Sequence, residues 1–228
     1  MKTKITSYKL TSKSKKLLNT YAEQLKTRKA KIITYGIFEM LVKQQLDPKK
    51  IADYIEKNTF VFLKDRPTIL MNMGHFESVC KLKKEVEKIT GKDLYDNEFL
   101  GILILYYFEK IAFYHKKKTL KELTTNPINC TQVGFYINSD LKAKLVFLCD
   151  KYSLTNGLLL FDILTDQKVG KLPLNEFPSD IEIESDKKEK ITVFIPDFAH
   201  DNLNNLPLTN SFVVEIRSEK FLDIYSLN

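Results

Sequence analysis

The chain has 228 residues, 43% of them apolar and 29% charged, which argues against a disordered chain and describes a folded protein. At this length the core is expected to be divided among two or three small domains. The formal net charge of +7 permits contact with a polyanion, and it is unevenly spread. Residues 1–64 carry 15 Lys and Arg against 5 Asp and Glu, residues 65–169 carry 15 against 13, and residues 170–228 carry 6 against 11. The basic footprint therefore lies at the N-terminus and the acidic one at the C-terminus. Cys80, Cys130 and Cys149 show neither pairing nor metal spacing, and MKTKITSYKLTSKSKK lacks the apolar stretch of a secretion signal. Buried thiols in a reducing, cytoplasmic setting are expected. The most apolar run, FLGILILYYF, is too short to span a bilayer and predicts a buried helix. A bias toward Lys, Asn and Ile suggests an AT-rich coding source such as a low-GC bacterium, a plasmid or a phage.

In chain order, Ile5–Leu10 predicts a short strand with Tyr8 and Leu10 on its inner side. Thr11 or Ser12 can cap the helix that follows, whose apolar face is Leu17, Leu18, Tyr21, Ala22 and Leu25. Thr27 is placed to cap a second helix carrying Ile32, Ile33, Ile37, Leu41 and Val42. Pro48–Lys57 predicts a linker helix with Pro48 in its first turn, and Phe60–Leu63 an extra strand. Thr68–Met73 predicts the next strand, with Ile69, Met71 and Met73 inward. A helix over Phe76–Ile89 ends at Gly91, Asp93 or Asp96 caps another, and Phe99–Phe113 is apolar nearly all round.

After the Lys116–Lys118 cluster and a polar linker with Pro127, Val133, Phe135 and Ile137 define one face of a third strand. A helix follows with Leu141, Leu145, Leu148, Cys149 and Tyr152. Thr155 caps a second helix with Leu158, Leu159, Phe161, Ile163 and Leu164. The acidic 170–186 segment breaks periodicity. Ile191–Ile195 and Phe212–Ile216 then admit two readings. They belong to a shortened fourth strand-helix-helix unit, supported by the recurrence of Leu154-Thr155-Asn156 at Leu208-Thr209-Asn210, or they form a terminal hairpin.

The recurring order of strand, helix, turn and helix resembles the ribbon-helix-helix family of DNA-binding proteins, which includes the Arc and MetJ repressors. The units would be residues 1–46, 67–115, 131–166 and, degenerate, 187–228. The resemblance implies an α+β fold in which tandem units pair within the chain as pseudo-dimers, one with two and three with four. Short antiparallel ribbons would then lie over interlocked helices. With only three units, one would require a second chain and a homodimer would result.

The resemblance also implies site-specific binding of double-stranded DNA by a ribbon in the major groove. Such a protein would be a plasmid- or phage-type transcriptional regulator or a DNA-architecture accessory. Base-contact candidates on the outward faces are Ile5, Ser7 and Lys9; Thr68, Leu70 and Asn72; Gln132 and Tyr136. Gly134 shares the third strand's outward face and reads nothing. Phosphate-contact candidates at second-helix N-termini are Thr27, Arg28, Lys29, Lys31, Thr155 and Asn156. The rival reading is a protein-interaction scaffold made of the same repeats, and the acidic C-terminal segment is a candidate protein-binding region under either reading.

Catalytic chemistry finds little support. His75, His115 and His200 are isolated, and there is no Walker loop, dinucleotide fingerprint, HExxH or GxSxG. Asp93, Asp96 and Glu98 read as caps, and His75 as a turn or cap residue. No enzyme activity, cofactor or metal is expected.

Overall fold

The computed structural model describes residues 2–112, 129–166, 168–169, 187–204 and 209–227. It is an α+β protein in which, among the described residues, the strands form two antiparallel two-stranded ribbons, β1–β2 and β3–β4, interspersed with helices. The chain divides into two compact units. One comprises Met1–Pro127 with Lys151–Ser153, the other Ile128–Asp150 with Leu154–Asn228.

In the first unit β1 (Thr3–Ser7) runs antiparallel to β2 (Thr68–Asn72), with Ile5 opposite Leu70. Alternation sends Ile69 and Met71 into the core and leaves Ile5 and Leu70 outside. Helix α1 (Ser12–Gln24) begins with a capping box between Thr11 and Ser14 and buries Leu17, Leu18, Tyr21 and Ala22. Helix α2 (Lys29–Phe38) runs into a π-helical turn, Glu39–Lys43. Helix α3 (Pro48–Lys57) has Pro48 at its start, where no intrahelical N–H is needed, and an Asp47 cap.

Helix α4 (Met73–Thr90) is capped by Asn72 and closed by Gly91 at φ +66°, a conformation glycine adopts without a Cβ penalty. Helix α5 (Asp96–Tyr106) and its π-helical extension, Tyr107–Ile111, are apolar almost all round because they are buried almost all round. The approach of α5 to the chain just after β1 is very close. A Cβ built on Gly101 would lie 1.9 Å from the Lys9 carbonyl oxygen, and the Lys9 N–H donates to the Asn97 carbonyl at 2.9 Å.

The second unit repeats the plan with longer strands. β3 (Cys130–Asn138) pairs with β4 (Lys188–Pro196), placing Gln132 opposite Phe194, Gly134 opposite Thr192 and Tyr136 opposite Lys190. Phe135, Ile137, Ile191, Val193 and Ile195 face the core. Helices α6 (Ser139–Tyr152) and α7 (Asn156–Thr165) follow β3, while α8 (Asp197–Asn204) and α9 (Asn210–Ile224) follow β4. Each second helix packs on the other repeat's strand. A Cβ on Gly157 of α7 would sit 3.1 Å from the Phe194 carbonyl of β4. From α9, Ser211 Oγ accepts the Tyr136 N–H at 2.9 Å and Glu215 accepts the Asn138 N–H at 2.6 Å. Backbone donors that an isolated two-stranded ribbon would leave open on β3 are thus satisfied by side chains.

Several sequence expectations need correction. β1 covers Thr3–Ser7 rather than Ile5–Leu10: the Tyr8 N–H still reaches the Pro67 carbonyl in register, but Pro67 has no N–H to return, and the Lys9 N–H leaves the ladder for the Asn97 carbonyl. Phe60–Leu63 forms no strand; Phe62 makes an isolated bridge to Thr11. Thr27 does not cap α2, since Arg28 holds that position without a side-chain bond and the Thr27 N–H closes α1 on Ala22. Neither Asp93 nor Asp96 caps α5, whose cap position is Tyr95, and Asp96 instead accepts from Lys83 at 2.6 Å. The terminal-hairpin reading fails because Phe212–Ile216 lies within α9. His75 is a buried member of α4, and Cys80 is half-buried while Cys130 and Cys149 are buried. The Lys116–Lys118 cluster, Pro127 and the whole of the acidic 170–186 region lie outside the described residues.

Candidate nucleic-acid interface

The outward face of β3–β4 carries Gln132, Gly134 and Tyr136 on one strand and Lys190, Thr192 and Phe194 on the other, all exposed. One end of this face pairs Gln132 with Phe194 and the other pairs Tyr136 with Lys190, so each end joins a polar or cationic group to an aromatic one, with Tyr136 53% and Phe194 45% exposed. Gly134 has a structural use there. A Cβ at that position would meet Lys190 Cε at 2.6 Å, so the missing side chain lets Lys190 lie across the ribbon. Its ammonium stands 6.0 Å from the Tyr136 ring centre, a cation–π distance. Asn138 is not a reader, because its Oδ1 accepts the Asp140 and Leu141 N–H groups at the start of α6.

Two helix N-termini flank this ribbon, one packed on each strand. Thr155 caps α7 by accepting the Leu158 N–H at 3.2 Å, and Thr209 caps α9 by accepting the Phe212 N–H at 3.4 Å. Neither helix has an acidic residue in its first turn. The N-terminal N–H groups of a helix lack intrahelical acceptors and carry the positive end of its dipole, so each terminus favours an anion. The repeated Thr-Asn pairs thus occupy equivalent places on opposite sides of one ribbon.

The β1–β2 face is chemically different. Its outward residues are Thr3, Ile5 and Ser7 opposite Asn72, Leu70 and Thr68, with Ile5 70% and Leu70 57% exposed at the centre. Lys9, expected as a base contact on the outward face, lies beyond the strand and is ion-paired to Glu98 at 2.7 Å with only 19% of its side chain exposed. Asn72 is occupied through Oδ1, which accepts the Gly74 N–H at 2.7 Å. The two flanks also differ. Asp96 and Glu98 sit in the first turn of α5, whereas α2 begins at Arg28 and Lys29, both exposed. Lys29 joins Lys15 and Arg66 around an open cleft of about 400 Å³, floored by Tyr8, Leu10 and Pro67, where the chain enters β2. Lys31 is half-buried and donates to the Ser153 carbonyl at 2.9 Å.

Of the base-contact candidates, Ile5, Ser7, Thr68 and Leu70 come together on one ribbon and Gln132 and Tyr136 on the other; Lys9 and Asn72 are committed elsewhere. Of the phosphate candidates, Thr155 and Asn156 meet the second ribbon's edge, Arg28 and Lys29 start α2, and Thr27 has no capping role. Sequence reasoning left Thr209 and Asn210 out of the site, although the repeated Leu-Thr-Asn triplet was the signal that could have placed them. Among the described residues no group of His, Cys, Asp or Glu side chains could hold a metal ion, and no helix is long and apolar enough to cross a membrane. No family model matches the chain, and neither a curated protein nor a solved structure matches it.

Proposed function

We propose that the chain binds duplex DNA site-specifically, each unit acting as an intrachain ribbon-helix-helix pair that lays its two strands in the major groove. The observation carrying this reading is the β3–β4 ribbon, with Gln132, Lys190 and Thr192 on its outward face and a Thr-capped helix N-terminus at each edge. A two-stranded ribbon fits the groove's width, and the donor types suit base edges, Gln for adenine and Lys for guanine. The flanking helix starts would take the phosphates on either side, setting register while the ribbon reads. Transcriptional regulation and DNA architecture are both roles for such a reader.

The test is selection of duplexes from a random library by the full chain, then gel shift of the selected duplex across a salt series with excess non-specific competitor. A discrete competitor-resistant complex is expected, with affinity falling linearly in log salt. Gln132→Ala with Lys190→Ala should lower specific affinity by roughly 1–3 kcal/mol per lost base contact while leaving non-specific binding nearly intact. Absence of binding even at low salt rejects this reading and leaves the protein-interaction scaffold in its place.

A further inference from the structure

The first ribbon poses a question that the polar readers of the second do not answer. Its central cross-strand pair, Ile5 and Leu70, is directly opposed and largely in water. The residues around it follow a local two-fold. Thr3, Ile5 and Ser7 on β1 correspond to Thr68, Leu70 and Asn72 on β2, giving a hydroxyl, an aliphatic and a polar group on each strand. Nothing in the core requires the aliphatic pair, since Ile69 and Met71 already fill the inner face.

The exposed apolar area of two such side chains is on the order of 200 Å², too little for a protein interface, which buries several hundred per partner. Residues 1–112, which hold both strands, carry 22 Lys and Arg against 13 Asp and Glu, an excess that matches a polyanion and not an apolar surface. In the major groove the one apolar group on a base edge is the thymine C5-methyl, and aliphatic side chains are its natural contact.

Resting on the DNA reading above, we propose that the β1–β2 face recognises A·T pairs through thymine methyl groups, with Ile5 and Leu70 as the paired readers. The hydroxyls of Thr3, Ser7 and Thr68 flank that contact, where hydroxyls accept or donate to either base. Because the readers are related by the local two-fold, the thymines they contact should lie on opposite strands, symmetric about the centre of the half of the site that this ribbon covers.

The experiment takes a duplex selected by the full chain and replaces its thymines with deoxyuridine, singly and together, which removes the methyl and keeps every hydrogen-bonding group. Expected is a loss of about fourfold in affinity for each contacted methyl. In the double variant Ile5→Ala, Leu70→Ala the thymine and deoxyuridine duplexes should bind equally, whereas Ile5→Val, Leu70→Met should keep the difference. Both side chains are exposed, so circular dichroism should report an unchanged fold. Equal binding of the two duplexes by the native chain would overturn the proposal while leaving DNA binding intact. So would a methyl effect that survives the alanine variant, which would assign it to another surface. Failure to select any duplex would instead remove the DNA reading and this proposal with it.

Discussion

Gly101 shows how a single position can constrain a unit. It lies inside FLGILILYYF, where the sequence reads as a uniformly apolar helix and gives no reason to single out the glycine. The reason lies in a contact remote along the chain, since a Cβ there would overlap the Lys9 carbonyl oxygen. Backbone cannot swing aside as a flexible side chain can. Gly101→Ala should therefore destabilise the first unit by about 3 kcal/mol, an overpacking cost measurable as a lowered denaturant midpoint. Gly134→Ser is a useful contrast, because its clash is with the far end of Lys190, which can move.

His75 supplies a prediction of pH dependence. Both ring nitrogens are buried without a hydrogen-bond partner among the described residues, and burial lowers its pKa from 6.5 to about 4. Between those values the unfolded chain binds a proton that the folded chain refuses. Stability should therefore be fully present above about pH 6.5 and fall as pH drops toward 4, by about 3 kcal/mol in all. Urea titrations across that range should show the slope, and His75→Phe should remove its His75 component.

Among elements, the caps separate what was legible from what was not. Thr155, and Thr11 as one of the pair Thr11 and Ser12, are legible as polar residues preceding periodic apolar runs, Thr209 is legible from the repeated Leu-Thr-Asn triplet, and each accepts a backbone N–H of its helix's first turn. Thr27 satisfies the same local rule and fails, because its N–H closes the end of α1 on the Ala22 carbonyl and the cap position of α2 falls to Arg28. Thr155→Ala and Thr209→Ala should each cost about 1 kcal/mol, roughly additively, whereas Thr27→Ala should fall within about 0.5 kcal/mol. Thermal or chemical unfolding of the three variants checks the distinction. Helix faces were similarly legible from periodicity. The commitment of Lys9 to Glu98 was not, because no local pattern reports a partner 89 residues away.

At the scale of the whole chain, the strand-helix-helix order could be read because hydrophobic period changes from two to about 3.6 at each strand's end. A shortened fourth unit is one of the two readings open in the sequence, and α8 has 8 residues against 14 in α6. Sequence periodicity could not say which strand edge each second helix would cover. That depends on Gly157 and Ser211 meeting the backbone of the other repeat's strand, a property of three-dimensional packing.

Both ribbons are closed within one polypeptide, β1 on β2 and β3 on β4. A reader that assembles from separate subunits occupies its site, when dilute, in proportion to the square of its abundance. Here the strand partners are already joined by the chain, and the second is met at an effective concentration set by the linker. Under the proposed function, occupancy would rise with the first power of copy number, so a halved gene dose would halve occupancy at low levels instead of quartering it. Covalent linkage also lets the two strands of each ribbon diverge independently, as Gln132 and Lys190 have, and the sequences they select need not be palindromes.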